Sequence, residues 1–232
     1  YVADLFSVRA IDPKTKTSRA VVRAPVLENA FGIDVTDRHV HIASWFNSAA
    51  QTFDRETGEL VATYHDLPTA YDVLEDEDGS LLVLQMFSGS ITRLHANDPE
   101  KRELVARGLS GATAMARGAD GAVFVTQYGK GEVARVDLAT GSVTPAITGL
   151  TNPEGIATLP DGALLVMEEG GRLVEADPSN GSVKTLADSL SISMPSAPGL
   201  PPMGYTCGVA TDAAGTIYLS SQPDSAILFL TR

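Results

Sequence analysis

The sequence contains little of what marks several common classes of protein. It has one cysteine, Cys207, among 232 residues, which excludes an internal disulfide and any zinc site built from several cysteines. It has no run of eighteen apolar residues, so a membrane-spanning helix is not predicted. Basic residues are also few: 17 Lys and Arg stand against 29 Asp and Glu, giving a formal net charge of −12. This balance argues against a nucleic-acid partner and against an anionic membrane surface.

Helical patterns and common catalytic motifs are missing as well. No segment has a convincing helical pattern, no Gly-x-Ser-x-Gly phrase occurs, and no Gly-rich phosphate loop opens a helix. The apolar share of 44% is still sufficient for a packed core. The sequence therefore predicts a soluble chain made of strands and turns. Its compartment is left open, secreted or periplasmic if a signal peptide has been removed.

A short phrase recurs along the chain about every forty residues. Its clearest copy runs from Gly155 to Val166, with an Ile after the first Gly, a central Asp-Gly and a final Val. Weaker copies start at Gly32, Asp72, Ala114 and Gly208, so successive copies are spaced by 40, 42, 41 and 53 residues. A fixed period of this size marks a repeat architecture.

Each repeat contains two apolar runs around an Asp-Gly turn, as at Asp161-Gly162. Asp-Gly between apolar runs is a strong hairpin signal, because Gly accepts a positive φ without a steric clash. The pair recurs at Asp78-Gly79 and Asp120-Gly121. A second turn, Asp-x-x-x-Gly, follows the third strand at Asp54, Asp137 and Asp177. A fourth strand follows, and Pro145 in one copy predicts that it lies at a sheet edge. Four short antiparallel strands at this period predict a β-propeller.

The repeat count predicts one all-β domain, a six-bladed β-propeller over residues 1–232. The predicted segments are a partial blade 1–26, blades at about 27–65, 67–107, 109–148 and 149–188, a Pro-rich loop 191–203 and a partial blade 204–232. The first and last blades are expected to be incomplete. Because the chain starts without Met and inside a strand pattern, the sequence suggests a fragment, and a larger ring stays open as an alternative.

Alignment on the Asp-Gly turn places a set of residues at the mouth of the predicted central channel. The residue before the Gly of each first strand should line it: Phe31, Tyr71, Thr113, Glu154 and Cys207. The matching ends of the second strands are all polar: Asp4, Ser44, Gln85, Gln127, Glu168 and Ser221. They either bond neighbouring loop backbone or face a ligand. We predict that Gln85 and Gln127 are among the ligand-binding residues.

The loops after the second strands differ along the chain in a way that suggests a binding site. They carry bulky side chains in the first four blades, among them Phe6, Trp45, Phe46, Phe87 and Tyr128, and polar ones in the last two. Such rings either cap the core or form an apolar binding patch. We predict a ligand site formed by Phe31, Trp45, Phe46, Tyr71, Phe87 and Tyr128.

Three glutamates occupy the acidic side of the predicted mouth. Glu154 and Glu168 are fourteen residues apart, which places them on adjacent antiparallel strand ends, and Glu169 follows. Converging carboxylates can hold Ca²⁺ or Mg²⁺, or can act as a general acid or base. We therefore predict Glu154, Glu168 and Glu169 as metal ligands, with Glu154 and Glu168 also catalytic. The alternative is that an acidic chain places such pairs on its loops by chance.

Other polar groups carry weaker signals. The acidic run Glu75 to Asp78 lacks the ligand spacing of a calcium loop and is expected to be a solvated turn. His39 and His41 alternate on one predicted strand and are expected to be packing residues. His65, in a loop before the third blade, is the histidine that could reach the mouth.

The phrase Asn152-Pro153-Glu154-Gly155-Ile156-Ala157, with Asp161-Gly162 and Val166, resembles the repeat of NHL propellers. It is also similar to the related gluconolactonase, senescence marker protein, strictosidine synthase and virginiamycin B lyase propellers. In the gluconolactonase type, a Pro-Asn-Gly phrase at this place supplies a metal ligand; here it reads Pro153-Glu154-Gly155. The Asp of that family's ligand set has no counterpart in the complete blades. The lyase resemblance implies a catalytic His at the mouth, where none of the five positions is His.

Two functions follow from these features. The first is an enzyme with a small-molecule site at the channel mouth, a divalent-metal-assisted hydrolase, lactonase or lyase acting on an apolar ester or lactone. The second is a non-catalytic propeller of the NHL type that binds a protein, a peptide or a ligand on its aromatic face.

Overall fold

The chain folds into short antiparallel sheets that follow one another along the sequence. The computed structural model describes residues 1–192 and 207–231, and within them it contains 22 strands in six sheets and one 3-10 turn, Tyr128–Lys130. In each sheet, strands that are consecutive in sequence are hydrogen-bonded neighbours. The fold is that of a six-bladed β-propeller, which confirms the predicted class. No helix in these residues is long and apolar enough to span a membrane.

The first three sheets lie in the amino-terminal half of the chain. The first sheet contains β1 (Val2–Asp4), β2 (Ser7–Asp12) and β3 (Thr17–Arg23). The second contains β4 (Ile33–Val35), β5 (His39–Ser44), β6 (Ala49–Asp54) and β7 (Leu60–Tyr64). The third contains β8 (Ala70–Glu75), β9 (Leu81–Gln85), β10 (Ser90–His95) and β11 (Asp98–Arg107).

The other three sheets follow in the same manner. The fourth contains β12 (Ala112–Arg117), β13 (Val123–Gln127), β14 (Glu132–Val136) and β15 (Val143–Thr148). The fifth contains β16 (Pro153–Thr158), β17 (Leu164–Glu168), β18 (Arg172–Ala176) and β19 (Val183–Ala187). The sixth contains β20 (Val209–Thr211), β21 (Ile217–Ser221) and β22 (Ala226–Leu230). Most of the Pro-rich loop predicted over 191–203 lies outside the described residues.

The chain divides into two compact units, residues 1–105 and residues 106–232. In each unit, apolar side chains of neighbouring sheets pack together. In the first unit, Val8 packs with Ile42 and Phe53, and Ala43 packs with Val73 and Val83. In the second unit, Phe124 packs with Ile156 and Val166, and Met167 packs with Leu219. The central strands β9, β13 and β17 are buried along their whole length, which matches their apolar runs.

The predicted turns form as the Asp and Gly residues require. Gly79, Gly121 and Gly162 have φ values of 80°, 79° and 88°, a conformation that costs a glycine little. The Asp-x-x-x-Gly turns close through a backbone bond, from Gly141 N–H to the Asp137 carbonyl at 2.8 Å, for example. The Asp137 carboxylate also accepts the N–H groups of Ala139 and Thr140. Strand β15, which contains Pro145, lies at the edge of its sheet as predicted.

Candidate functional site

Five aromatic rings of the first unit form one contiguous group, here called the aromatic cluster: Phe31, Trp45, Phe46, Tyr71 and Phe87. Phe31 precedes β4, Trp45 and Phe46 lie in the loop between β5 and β6, Tyr71 lies in β8, and Phe87 follows β9. Ring centroids of contacting pairs are 5.3–5.9 Å apart. The sequence placed these rings together from two neighbouring repeats, and the structure brings them into contact.

Within the aromatic cluster, Trp45 is the central ring, and Phe46 and Phe87 are the exposed rings. Trp45 contacts Phe31, Phe46, Tyr71 and Phe87. Tyr71 is buried, with 2% of its surface exposed, whereas Phe46 and Phe87 are 66% and 63% exposed. Tyr71 is thus covered by the fold, whereas Phe46 and Phe87 offer apolar surface that the fold does not cover.

Three of the five predicted mouth residues of the first strands share an unusual backbone position. Tyr71, Thr113 and Glu154 each lie where the register between the first and second strands shifts by one residue, as in a β-bulge. All three side chains are buried. A bulge re-aims a side chain relative to the regular alternation of a strand, and bulges are frequent beside functional sites. The repeat therefore provides equivalent positions with buried side chains, and these side chains differ in chemical type.

Several of the polar residues that end the second strands, among them Gln85, Gln127 and Glu168, bond the loop that precedes their own sheet. Gln85 donates from Nε2 to the Pro68 carbonyl at 3.1 Å, and Gln127 accepts the Ser110 N–H at 2.7 Å. Glu168 accepts the Thr151 N–H at 3.0 Å in the same manner. This agrees with the first of the two roles weighed from the sequence, the binding of neighbouring loop backbone. A ligand role for Gln85 and Gln127 stays a prediction.

Glu154 is a fully buried carboxyl group with few hydrogen-bond partners among the described residues. Its Oε2 accepts the Cys207 thiol at 3.3 Å and the Cys207 N–H at 3.4 Å. Its Oε1 is buried and has no hydrogen-bond partner among residues 1–192 and 207–231. Burial raises the pKa of Glu154 from 4.5 to about 7, against the opposing effect of the Cys207 hydrogen bonds. The same burial, with the nearby Glu154 carboxyl, holds the pKa of the Cys207 thiol well above its usual value.

The other two predicted metal ligands are directed to other partners. Glu168 receives two hydrogen bonds from the Arg172 guanidinium, at 2.6 and 2.7 Å. Glu169 accepts the Tyr128 hydroxyl at 2.6 Å and the Asn152 amide at 2.7 Å. Tyr128, predicted as a ligand-binding residue, is itself 8% exposed.

These contacts do not offer three carboxylates to one hard cation. Ca²⁺ needs six to eight oxygen ligands and Mg²⁺ an octahedral set. A cation bound by Glu168 would compete with the guanidinium that already pairs with both of its oxygens. Among the described residues, Glu154, Glu168 and Glu169 do not place their ligand atoms all within 4.8 Å of one another. Their role as Ca²⁺ or Mg²⁺ ligands stays a prediction, and Glu154 keeps the chemistry of a proton donor or acceptor.

Sequence reasoning missed one group of possible metal ligands in the first unit. His39 and His41 on β5 and Glu75 at the end of β8 place their ligand atoms within 4.8 Å of one another. His41 Nε2 lies 2.5 Å from Glu75 Oε2, and His39 Nδ1 lies 3.7 Å from the same oxygen. The signal available in the sequence was the His-x-His spacing on a strand. Glu75 could not be joined to it, because it lies 34 residues farther along the chain from His41.

Comparison with known proteins identifies solved propellers of similar fold. No protein-family model matches the chain, and no curated protein matches it. Virginiamycin B lyase from Staphylococcus aureus superimposes with a TM-score of 0.69, covering 98% of this chain and 75% of that one at 16% identity. A catalytically inactive histidine-to-alanine variant of that lyase with quinupristin gives a TM-score of 0.67, with 97% and 74% coverage and 16% identity.

A propeller of a different kind is almost as similar. The WD40 β-propeller domain of Doa1 gives a TM-score of 0.67, covering 88% of this chain and 64% of that one at 18% identity. Likeness at such identities speaks for the fold, because one fold hosts many functions. The resemblance to virginiamycin B lyase propellers noted from the repeat is thereby confirmed at the level of the fold.

Proposed function

We propose that this chain binds an apolar small molecule through the aromatic cluster. The observation that carries the proposal is the exposure of Phe46 and Phe87, both of which contact Trp45. An aromatic side chain buries 150–250 Å² when covered, and exposed rings of this kind add little to the stability of the folded chain. Covering one of them in a complex would stabilise that complex by roughly 1.5–3 kcal/mol.

A second candidate function, carried by the second unit, is catalysis as a lyase or hydrolase of an apolar ester or lactone. Its support is Glu154, because a carboxyl group whose pKa lies near 7 can both give and take a proton at neutral pH. The fold similarity to a lyase whose inactive variant was solved with quinupristin agrees with this class of reaction. The remaining alternative is a non-catalytic propeller that binds a protein or peptide.

The single tryptophan makes the binding proposal directly measurable. Trp45 is the only tryptophan in the chain and is central in the aromatic cluster, so its fluorescence reports on ligands bound there. We expect quinupristin, or the apolar dye anilinonaphthalene sulfonate, to change this fluorescence with saturation. Phe46→Ala and Phe87→Ala should each weaken binding by about tenfold or more.

Phe229→Ala is the matched control, because Phe229 is a 56% exposed phenylalanine on β22 outside the aromatic cluster. It should leave the affinity unchanged. If all three variants bind the probes like the wild type, the aromatic cluster is not the site. Mass spectrometry of the incubated quinupristin separates catalysis from binding: a product that forms with the wild type but not with Glu154→Gln supports the second candidate.

A further inference from the structure

The histidines at the start of β5 share one face of their sheet. His39 is the first residue of β5 and His41 is two residues later, so both side chains project to the same side. Their ring centroids are 5.5 Å apart in an edge-on arrangement. Glu75, the last residue of β8 in the next sheet, approaches them from the side. Two imidazoles from one sheet and one carboxylate from the next sheet thus lie close together.

The distances in this group fit a metal ion after a small adjustment. Four ligands at about 2.0–2.2 Å from a tetrahedral ion lie about 3.4 Å from one another. The His39 Nδ1 to Glu75 Oε2 distance of 3.7 Å is close to that value. The 2.5 Å contact between His41 and Glu75 is a hydrogen bond, which a metal ion would replace when the carboxylate moves back by about 1 Å.

The surrounding contacts hold the donors in place. Thr52 lies directly opposite His41 in the β5–β6 pairing, and its hydroxyl lies 3.0 Å from His41 Nδ1. This leaves Nε2 directed at Glu75. The Glu75 backbone N–H donates to Asp34 Oδ2 at 2.7 Å, which anchors the end of β8. Histidine ligands of metals usually have such a bond at their other ring nitrogen, where it fixes the ring orientation.

The group also lines a pocket that is open to a further ligand. A cavity of about 540 Å³ is bordered by His39, His41 and Glu75 together with Arg38 and Tyr64. Two imidazoles and one carboxylate suit Zn²⁺, whereas Ca²⁺ and Mg²⁺ prefer oxygen ligands alone. We propose that His39, His41 and Glu75 bind a Zn²⁺ ion, with the fourth coordination position facing the pocket and filled by water. This site is at the opposite end of β5 from Trp45, so it is separate from the aromatic cluster.

Zinc binding can be tested on the untagged full chain. The protein is stripped with a chelator, dialysed and titrated with ZnCl₂ by calorimetry, and we expect one Zn²⁺ per chain. Excess Mg²⁺ or Ca²⁺ should not displace it. Co²⁺ in place of Zn²⁺ should give the visible absorption of a four-coordinate site.

His39→Gln and Glu75→Gln should each lower the Zn²⁺ affinity at least about tenfold. Two variants are used because one of them alone could fail to fold.

His65→Gln is the matched control, since His65 is an exposed histidine of the same unit outside the group. It should keep the wild-type affinity. Zn²⁺ should also raise the thermal midpoint of the wild type and of His65→Gln but not that of His39→Gln, because a ligand of the native state stabilises it. A wild-type chain that binds no Zn²⁺, or folded His39→Gln and Glu75→Gln variants that bind it equally well, would overturn the proposal. In that case the group is only a hydrogen-bonded pair.

Discussion

A carboxyl group placed among apolar neighbours holds its proton more tightly than one in water, because burial disfavours the charged form. Glu154 is such a group, at 0% exposure and with Oε1 unpaired within the part of the chain that the structure describes. The register shift between Pro153 and Gly155 places it there, and its Oε2 accepts the weak thiol donor of Cys207. A neutral Glu154 at mildly acidic pH is thus a property of one residue and its immediate surroundings.

The raised pKa of Glu154 predicts a specific dependence of stability on pH. Between its ordinary pKa of 4.5 and the native value of about 7, the native state keeps a proton that the unfolded chain releases. The stability that Glu154 contributes is therefore fully present below pH 4.5 and is lost as the pH rises through 7. Relative to Glu154→Gln, the wild type should lose up to about 3 kcal/mol between about pH 5 and about pH 8, measured by urea unfolding.

Glu56→Gln is a suitable control for this measurement, because Glu56 is an exposed glutamate in the turn after β6. Its pH profile should run parallel to that of the wild type. Parallel profiles for wild type and Glu154→Gln would mean that Glu154 ionises normally in the native state. The proton-transfer role proposed for it would then lose its support.

At the scale of single elements, turns were easier to predict than side-chain partners. The Asp-Gly hairpins follow from local chemistry, because Gly accepts the positive φ and Asp bonds the backbone two residues on. The bulges at Tyr71, Thr113 and Glu154 were not predicted, although the alignment had already placed these residues in equivalent positions. A bulge depends on how two strands pair, which the sequence of one strand does not specify.

The loop between β17 and β18 offers a test of what close packing adds to a turn. Gly170 and Gly171 are adjacent and have φ values of 87° and 90°. A Cβ on Gly170 would meet no described residue within 4 Å, whereas one on Gly171 would overlap the Leu190 carbonyl oxygen. Gly171→Ala should therefore cost at least about 1–3 kcal/mol more than Gly170→Ala, which bears the backbone strain alone.

Equilibrium denaturation of the two alanine variants measures this difference, and each serves as the control for the other. The Leu190 N–H also donates to the Gly171 carbonyl at 3.0 Å, so the two segments have little freedom to separate. Equal decreases in the free energy of unfolding of both variants would show that the Leu190 segment moves away from the added Cβ without destabilising the fold. The close approach would then contribute nothing to the fold.

At the scale of the whole molecule, the repeat predicted the fold class but only part of the candidate chemistry. The period of about forty residues and the four-strand pattern are properties of the linear sequence, and six sheets formed in order. The aromatic cluster was predictable because its rings recur at equivalent positions of neighbouring repeats. The sequence did not predict the bidentate pairing of Glu168 with Arg172 or the approach of Glu75 to His41. Each of these contacts depends on side-chain directions across a hairpin or between sheets.

The excess of acidic residues gives the last prediction, which concerns the molecule as a whole. With a net charge of −12, the compact state suffers repulsion that the expanded chain relieves. Raising NaCl from about 0.01 M to about 0.3 M shortens the screening length from about 30 Å to below 8 Å. If this removes about 1 kcal/mol of repulsion, the thermal midpoint at neutral pH should rise by about 2–4 °C, as measured by circular dichroism. Near the isoelectric point of 4.6 the same salt step should have little effect, because the net charge is then close to zero. An equal rise at both pH values would assign the effect to preferential exclusion of salt from the protein surface rather than to charge.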